Sequence, residues 1–302
     1  MRPFLMLKTY AWVINMLRDH GPISREDLLA KWKELDLSKD CCMVRQTFWK
    51  YRNDIEEFFH ITISRDSQNR YYIEEGHALE QDTVQNFMLS AVTVTSTLSE
   101  YKEIHDRIIL EEIPSSGRFF KEIVEAMNKN ETIIINYQRY DEGEMKEHTL
   151  NPYYLKLYKR RWYMLAEELD GEKRTMKTFG LDRIMSLTMT SATFKMNKRM
   201  SAREYFKDCY GVMRDETKPA ERIVLRAFGT EANYMRDLKM HSSQREIFAC
   251  DDYSDFELYV RPSKDVVGQI LERGDRLKVL EPEHLAQEIM QKHLDSVNIY
   301  KK

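Results

Sequence analysis

Apolar positions along the first 75 residues recur at helical steps and then change to alternation. In ISREDLLAKWKEL, Ser24 stands three residues before Asp27, a helix-start pattern in which the hydroxyl caps orphan backbone amides. Leu28, Trp32 and Leu35 follow as one stripe. CCMVRQTFWKYRNDIEEFF places Val44, Phe48, Tyr51, Ile55 and Phe58 at steps of four and three, on a single helical face. ITISRDSQNRYYIEE then alternates around a polar centre, as a β-hairpin does. From Glu80 to Asn128 the pattern is helical again, with a break at IPSSG where Pro114 and Gly117 mark a hinge or a helix start. Within it VTVTSTL is β-branched, but the apolar spacing on either side favours helix.

Period two takes over at TIIINYQRY and persists through HTLNPYYLKLYKRRWYMLAEELDGEKRTMKTFGLDRIMSLTMT, with Glu142-Gly143 and Asp170-Gly171 as turn signals. About five short strands in some sixty residues predict a small closed barrel. After the polar connector MRDETKPAE the chain reads strand, helix, strand, strand, helix, strand, helix, an α/β sandwich of ferredoxin-like order.

The bulk numbers narrow the class. At 302 residues, with 42% hydrophobic and 32% charged positions, the chain is a soluble globular protein of two or three domains. A net charge of −3 argues against nonspecific coating of nucleic acid, so any contact with phosphate comes from local patches. Cys41, Cys42, Cys209 and Cys250 form no CxxC and no framework spacing, which fits reduced cytosolic thiols, with the adjacent pair as packing residues. The N-terminal stretch carries Lys8, Arg18 and Asp19, is too short and charged to span a membrane, and lacks a signal cleavage site. The expectation is a cytoplasmic protein with no membrane partner.

The first local patch lies on the helix around Trp49. Its 3.6-residue period sets Gln46, Trp49, Lys50 and Asn53 opposite the apolar stripe, with Arg45 and Arg52 on the flanks, and the hairpin tip carries Arg65 and Arg70. These are base-reading and phosphate-binding groups. Three helices followed by a hairpin is the winged helix-turn-helix order, in which the third helix enters the major groove and the wing touches the backbone. A small helical domain that binds another protein has the same order. Glu56 and Glu57 sit at the helix end that points away from the groove.

The second patch lies in the β region and carries a family resemblance. Trp162-Tyr163-Met164, with Met in place of the usual Leu, Pro152 upstream, the Asp-Gly turn and FGLDRI at Phe179–Ile184 occur in order. On these residues the chain resembles the WYL-domain transcriptional regulators of bacteria over nearly its whole length. One departure is Gly180, where many relatives carry Arg or Ala. The resemblance implies a multidomain α+β chain: a winged helix-turn-helix at 1–78, a helical linker at 79–130, an SH3- or Sm-like WYL barrel at 131–200, and a C-terminal WCX-like ferredoxin-like extension at 201–302 that dimerises. It further implies that the barrel binds a nucleic-acid fragment or nucleotide and changes DNA binding in response.

Strand alternation puts Trp162, Met164 and Ala166 on one face and Tyr163 on the other, so Trp162 is expected in the core and Tyr163 at the ligand. Tyr137 falls on the face of Ile133 and Ile135 and snorkels from the core. His148, Lys156, Arg174, Lys177 and Arg183 are the candidate donors to phosphate or carboxylate, each also readable as a solvated cation.

The resulting expectation is a homodimeric, ligand-responsive regulator of a double-stranded DNA operator, needing no cofactor. For the family, repression of a phage-defence operon is implied. Two alternatives stand beside it. One is an enzyme acting on nucleic acid or nucleotide, against which stands the lack of GxSxG, HExxH, a phosphate-cradling glycine loop or a paired acidic cluster. The other is a protein-interaction adaptor. His284, Glu288 and His293 share a predicted helix at a poor ligand spacing, so no metal site is assigned.

Overall fold

The computed structural model describes residues 3–34, 43, 45–74, 84–100, 107–108, 117–140, 143–197 and 200–301. They fall into two units, Met1–Glu111 and Glu112–Lys302. Element numbers below run over the described residues.

In the first unit, α1 (Pro3–His20) and α2 (Arg25–Lys33) pack through Val13, Ile14, Leu17, Leu28 and Trp32. Ser24 Oγ accepts the Asp27 amide at 3.1 Å, the cap that its spacing predicts. Helix α3 (Arg45–Phe59) turns Phe48, Tyr51 and Ile55 inward. Its stripe closes on Phe59, 2% exposed, while Phe58 is 44% exposed. At about 100° per residue, position 59 lies nearer the mean direction of the other three than position 58 does. Leu35 and Val44, expected in these stripes, and the Cys41-Cys42 pair lie outside the described residues.

Strands β1 (Ile63–Arg65) and β2 (Tyr71–Ile73) form an antiparallel hairpin that buries Ile63 and Tyr71. Ile23 and Tyr71 exchange backbone hydrogen bonds of 2.8 and 2.9 Å, tying the hairpin to the loop before α2. Helix α4 (Val84–Glu100) buries Leu89 in the same core, and Asn15 of α1 donates to Thr93 Oγ1 at 3.1 Å. The β-branched run stays helical, with Thr97 Oγ1 bonded to the Thr93 carbonyl one turn back.

The second unit begins with α5 (Phe120–Lys129), which ends where Asn130 takes the left-handed conformation, φ 55°. Its buried Ile123 and Ala126 cover an antiparallel five-stranded sheet: β3 (Glu131–Gln138), β4 (Met145–Tyr158), β5 (Arg161–Asp170), β6 (Lys173–Gly180) and β7 (Ile184–Thr193). The order is β6-β5-β4-β3-β7, and a 3₁₀ turn, Leu181–Arg183, joins β6 to β7. Ile133, Ile135, Leu150, Met164, Ala166 and Phe179 fill the space under α5.

After α6 (Ala202–Phe206) come β8 (Glu221–Phe228), α7 (Glu231–Asp237), β9 (Arg245–Ala249), β10 (Tyr253–Val260), α8 (Lys264–Glu272), β11 (Leu277–Glu281) and α9 (Glu283–Tyr300). All pairs in this sheet are antiparallel, in the order β11-β8-β10-β9. One face of it packs on the helices through Ile223, Leu225, Phe256, Leu258, Val266, Ile270 and Leu285. The protein is therefore a mixed α+β chain with N-terminal helices and more than one antiparallel sheet. Among the described residues no helix is long and apolar enough to cross a membrane.

Candidate functional sites

In the first unit, burial of Phe48, Tyr51, Ile55 and Phe59 forces the other side of α3 outward. Gln46, Lys50 and Asn53 are exposed, Trp49 is 61% exposed, and Arg52 is half-buried. Arg45 opens the helix, and its side chain lies outside the described residues. The segment 45–53 contains no carboxylate, so the first turns of α3 present cations, amides and one aromatic ring only.

The hairpin divides its two arginines. The Arg65 guanidinium stands 4.9 Å from the Tyr71 ring centroid and leaves its donors free for a partner outside the hairpin. Arg70 is held in the turn: its Nε donates to Asp66 Oδ2 at 2.7 Å, and Asp66 Oδ1 accepts the amides of Gln68 and Arg70 at 2.9 Å each. These bonds, the Arg70 amide first, hold the Asp66 carboxyl below its ordinary value despite the opposing effect of desolvation.

In the second unit a cluster forms around Arg183. Its guanidinium carbon lies 5.5 Å from the Tyr137 ring centroid, 5.3 Å from Tyr140 and 6.0 Å from Tyr163. The Tyr137 hydroxyl accepts the Gly180 amide at 3.1 Å. Burial raises the pKa of Tyr137 and of Tyr163, against the opposing charge of Arg183, so both phenols stay neutral donors. Asp182 organises the other side: its Oδ2 accepts from Arg161 Nη1 at 3.1 Å and from the Tyr140 hydroxyl at 3.2 Å. Asp182 Oδ1 and Arg183 Nε are 3.6 Å apart, beyond hydrogen-bond reach, and both atoms are buried without a partner.

Gly180 explains how Arg183 fits. A β-carbon there would fall 2.3 Å from Arg183 Nη2, so the guanidinium occupies the volume that a side chain at 180 would take.

The remaining expected donors go elsewhere. His148 Nδ1 lies 2.5 Å from Glu168 Oε1, and Lys177 Nζ contacts Glu168 Oε2, so one carboxylate engages both. His148 packs edge-on to Phe179 and Tyr137 at 5.2 and 6.1 Å, placing this trio on the inner side of the sheet. Lys156 starts opposite Tyr163 in the β4–β5 register, but its ammonium donates to the Gly211 carbonyl at 2.5 Å and stands 4.1 Å from the Phe206 ring centroid. Burial there lowers its proton affinity. Arg174 sits opposite Leu169 near the β5–β6 turn and donates to the carbonyls of Gly171 and Lys173 at 2.8 and 3.1 Å. Six residues separate it from Gly180 along β6, roughly 20 Å of strand.

Tyr163, Tyr137 and Arg183 are thus brought together, and Arg161, Tyr140 and Asp182 join them. Arg161 was findable, because it shares a strand face with Tyr163 two residues on. Asp182 lies inside the LDRI motif. Tyr140 had no local signal. Trp162 packs on Phe120, ring centroids 4.9 Å apart, and leaves the site to Tyr163. On α9, His284 Nε2 meets Glu221 Oε1 at 3.0 Å and Glu288 meets Lys218 at 3.6 Å.

Residues 118–189 match the WYL domain family model, so the chain contains a WYL domain spanning α5 and most of the five-stranded sheet. No curated protein matches the chain. Among solved structures it is similar to proteasome accessory factor B/C (PafBC) of Arthrobacter aurescens, at 16% identity and a TM-score of 0.35, over 94% of this chain and 45% of that one. The chain therefore spans less than half the length of that protein. It is also similar to a CRISPR Cas-related protein, at 10% identity and a TM-score of 0.39, over 99% of this chain and 85% of that one.

Proposed function

We propose that the protein is a homodimeric DNA-binding transcriptional regulator whose WYL domain senses a nucleic-acid fragment or nucleotide. In this reading α1 to α3 with the β1–β2 hairpin are a winged helix-turn-helix. Helix α3 enters the major groove with Gln46, Trp49, Lys50 and Asn53, Arg45 and Arg52 contact phosphates beside it, and Arg65 with Arg70 form the wing. The observation that carries the proposal is the N-terminal part of α3, residues 45–53, which has no carboxylate and where an exposed indole stands among amides and cations, the exposed Glu56 and Glu57 being confined to the C-terminal end. A surface of that kind suits an anionic, base-bearing partner and gains nothing from water.

The sensing site is the Arg183 cluster. The Arg183 guanidinium, whose side chain is 23% exposed, suits a phosphate or carboxylate oxygen, and the rings of Tyr137, Tyr140 and Tyr163 suit a base. His148 and Lys177, tied by Glu168, form the inner wall. The C-terminal sheet, in ferredoxin-like order, is the dimerising part, and two heads about 34 Å apart would address a pseudo-palindromic operator. A ligand acts only by binding one dimer geometry better than the other.

Fluorescence anisotropy with the gene's own upstream duplex against a shuffled duplex tests the reading, with and without short single-stranded DNA, short RNA and cyclic nucleotides. The expected result is a preference for the upstream duplex that one probe class shifts, and loss of that shift in Arg183→Ala with duplex affinity unchanged. Equal affinity for both duplexes under every condition would refute it.

A further inference from the structure

Beside the outward face of α3 lies a cleft of about 530 Å³ where three arginines from three elements meet: Arg25 at the start of α2, Arg52 in α3 and Arg65 at the end of β1. Gln46 and Trp49 form its rim, and the buried rings of Phe48 and Tyr71 its floor. Among the described residues no carboxylate lines it. Three guanidiniums without a counter-charge repel one another, and here Arg25 and Arg52 are also half-buried. The Nε atoms of Arg25 and Arg52 are both shielded from solvent and have no hydrogen-bond partner. An anion arriving from outside would engage the outer nitrogens of these guanidiniums, since the two Nε atoms are sealed from solvent, and would supply the counter-charge that the cleft's own lining lacks. The fixed fork of each guanidinium matches the oxygens of a phosphate.

We infer that this cleft clamps one phosphodiester of the duplex backbone, with Arg25, Arg52 and Arg65 as its three donors. The inference rests on the DNA-binding reading and adds Arg25, a residue outside the groove-facing set. Its role is to fix the register of α3 on the duplex while reading no base. A volume of this size, within the range of small-molecule sites, accommodates the phosphate with the sugars on either side.

The test measures Kd for the upstream and the shuffled duplex across a salt series in wild type, Arg25→Met and Arg65→Met, each first checked for an unchanged melting curve. Two variants on separate elements keep the test alive should one fail to fold. Each is expected to weaken both duplexes by the same factor, about tenfold, to lower the slope of log K against log salt by about one, and to leave their ratio unchanged. A changed ratio, or unchanged affinity for both, overturns the clamp. Should wild type bind neither duplex, the DNA reading fails by itself, and the cleft is then judged by titrating inorganic phosphate against the Trp49 fluorescence, assigned by difference from Trp49→Phe. A saturable change that Arg25→Met abolishes supports an anion clamp, and none in wild type overturns it.

Discussion

Substitution of Gly180 by alanine isolates the position of Arg183 from the stability of the fold. The backbone there has φ −74° and ψ 130°, open to any residue, so alanine adds no backbone strain. Reduced freedom of the unfolded chain favours it by about 0.4–1 kcal/mol. What opposes it is space. The new β-carbon would lie 2.3 Å from Arg183 Nη2, 2.9 Å from Arg183 Nε and 2.6 Å from Asp182 Oδ1. Carbon and nitrogen rest near 3.5 Å apart, so the guanidinium must retreat by roughly 1 Å. It ends a flexible side chain and can do so, at the expense of its contacts with Tyr137, Tyr140 and Tyr163, each worth about 0.5–1 kcal/mol. The three contacts together outweigh that gain by about 0.5–2.6 kcal/mol, so the loss is only partly offset and the melting temperature should fall by roughly 1–10 °C. Ligand binding has no such compensation. A displaced guanidinium forfeits a charge-assisted hydrogen bond of about 1.5–3 kcal/mol, a fall in affinity of roughly tenfold to a hundredfold. The assay pairs a thermal melt with ¹⁵N NMR of the Arg183 Nε–H and titration of a short single-stranded DNA. An unmoved Arg183 resonance with wild-type affinity would refute this account of the site, as would loss of the fold.

Two further outcomes follow from the same geometry. Lys50 is exposed on α3 and takes no part in the core, so Lys50→Ala should weaken duplex binding by about three- to tenfold while sedimentation shows an unchanged oligomeric state; unchanged duplex affinity would remove Lys50 from the interface. Glu168→Gln tests the carboxylate that joins His148 and Lys177. Burial works to raise the Glu168 pKa, but the bonds and charges of Lys177 and His148 outweigh it and hold it below the ordinary 4.5. A depressed pKa contributes stability that is full above the unfolded-state value and is lost as pH falls through the folded-state value. The wild type should therefore lose stability more steeply than Glu168→Gln below about pH 4.5, and the variant should be less stable at pH 7 by about 1–3 kcal/mol in chemical denaturation; parallel pH profiles would contradict the pairing.

Much of this architecture is legible in local period, and the places where legibility stops share a cause. Alternation along β5 suffices to send Met164 and Ala166 into the core and to leave Tyr163 facing Arg183. Helical period likewise exposes Trp49, and errs by one residue only at the end of α3, where Phe58 and Phe59 compete for the last inward position. What period cannot carry is which strand residue stands opposite which. The β4–β5 register shifts between Pro152 and Tyr154, and such a bulge reassigns faces for everything beyond it. His148, Lys156, Arg174 and Lys177 therefore look alike in the chain, as basic residues near a Trp-Tyr pair. Pairing separates them, by bringing Glu168 to two of them, the Gly211 carbonyl to the third and a turn's carbonyls to the fourth. The discriminating property of a binding cation is the lack of an acceptor within its own fold, and that is a property of long-range pairing. Arg25 and Arg52 meet the criterion at their Nε atoms, whereas Arg183 is ion-paired with Asp182 at 3.6 Å; Arg25 has no sequence signal beyond following the cap of α2. Which cations remain candidates for an outside partner thus becomes visible only once each has been placed beside its neighbours.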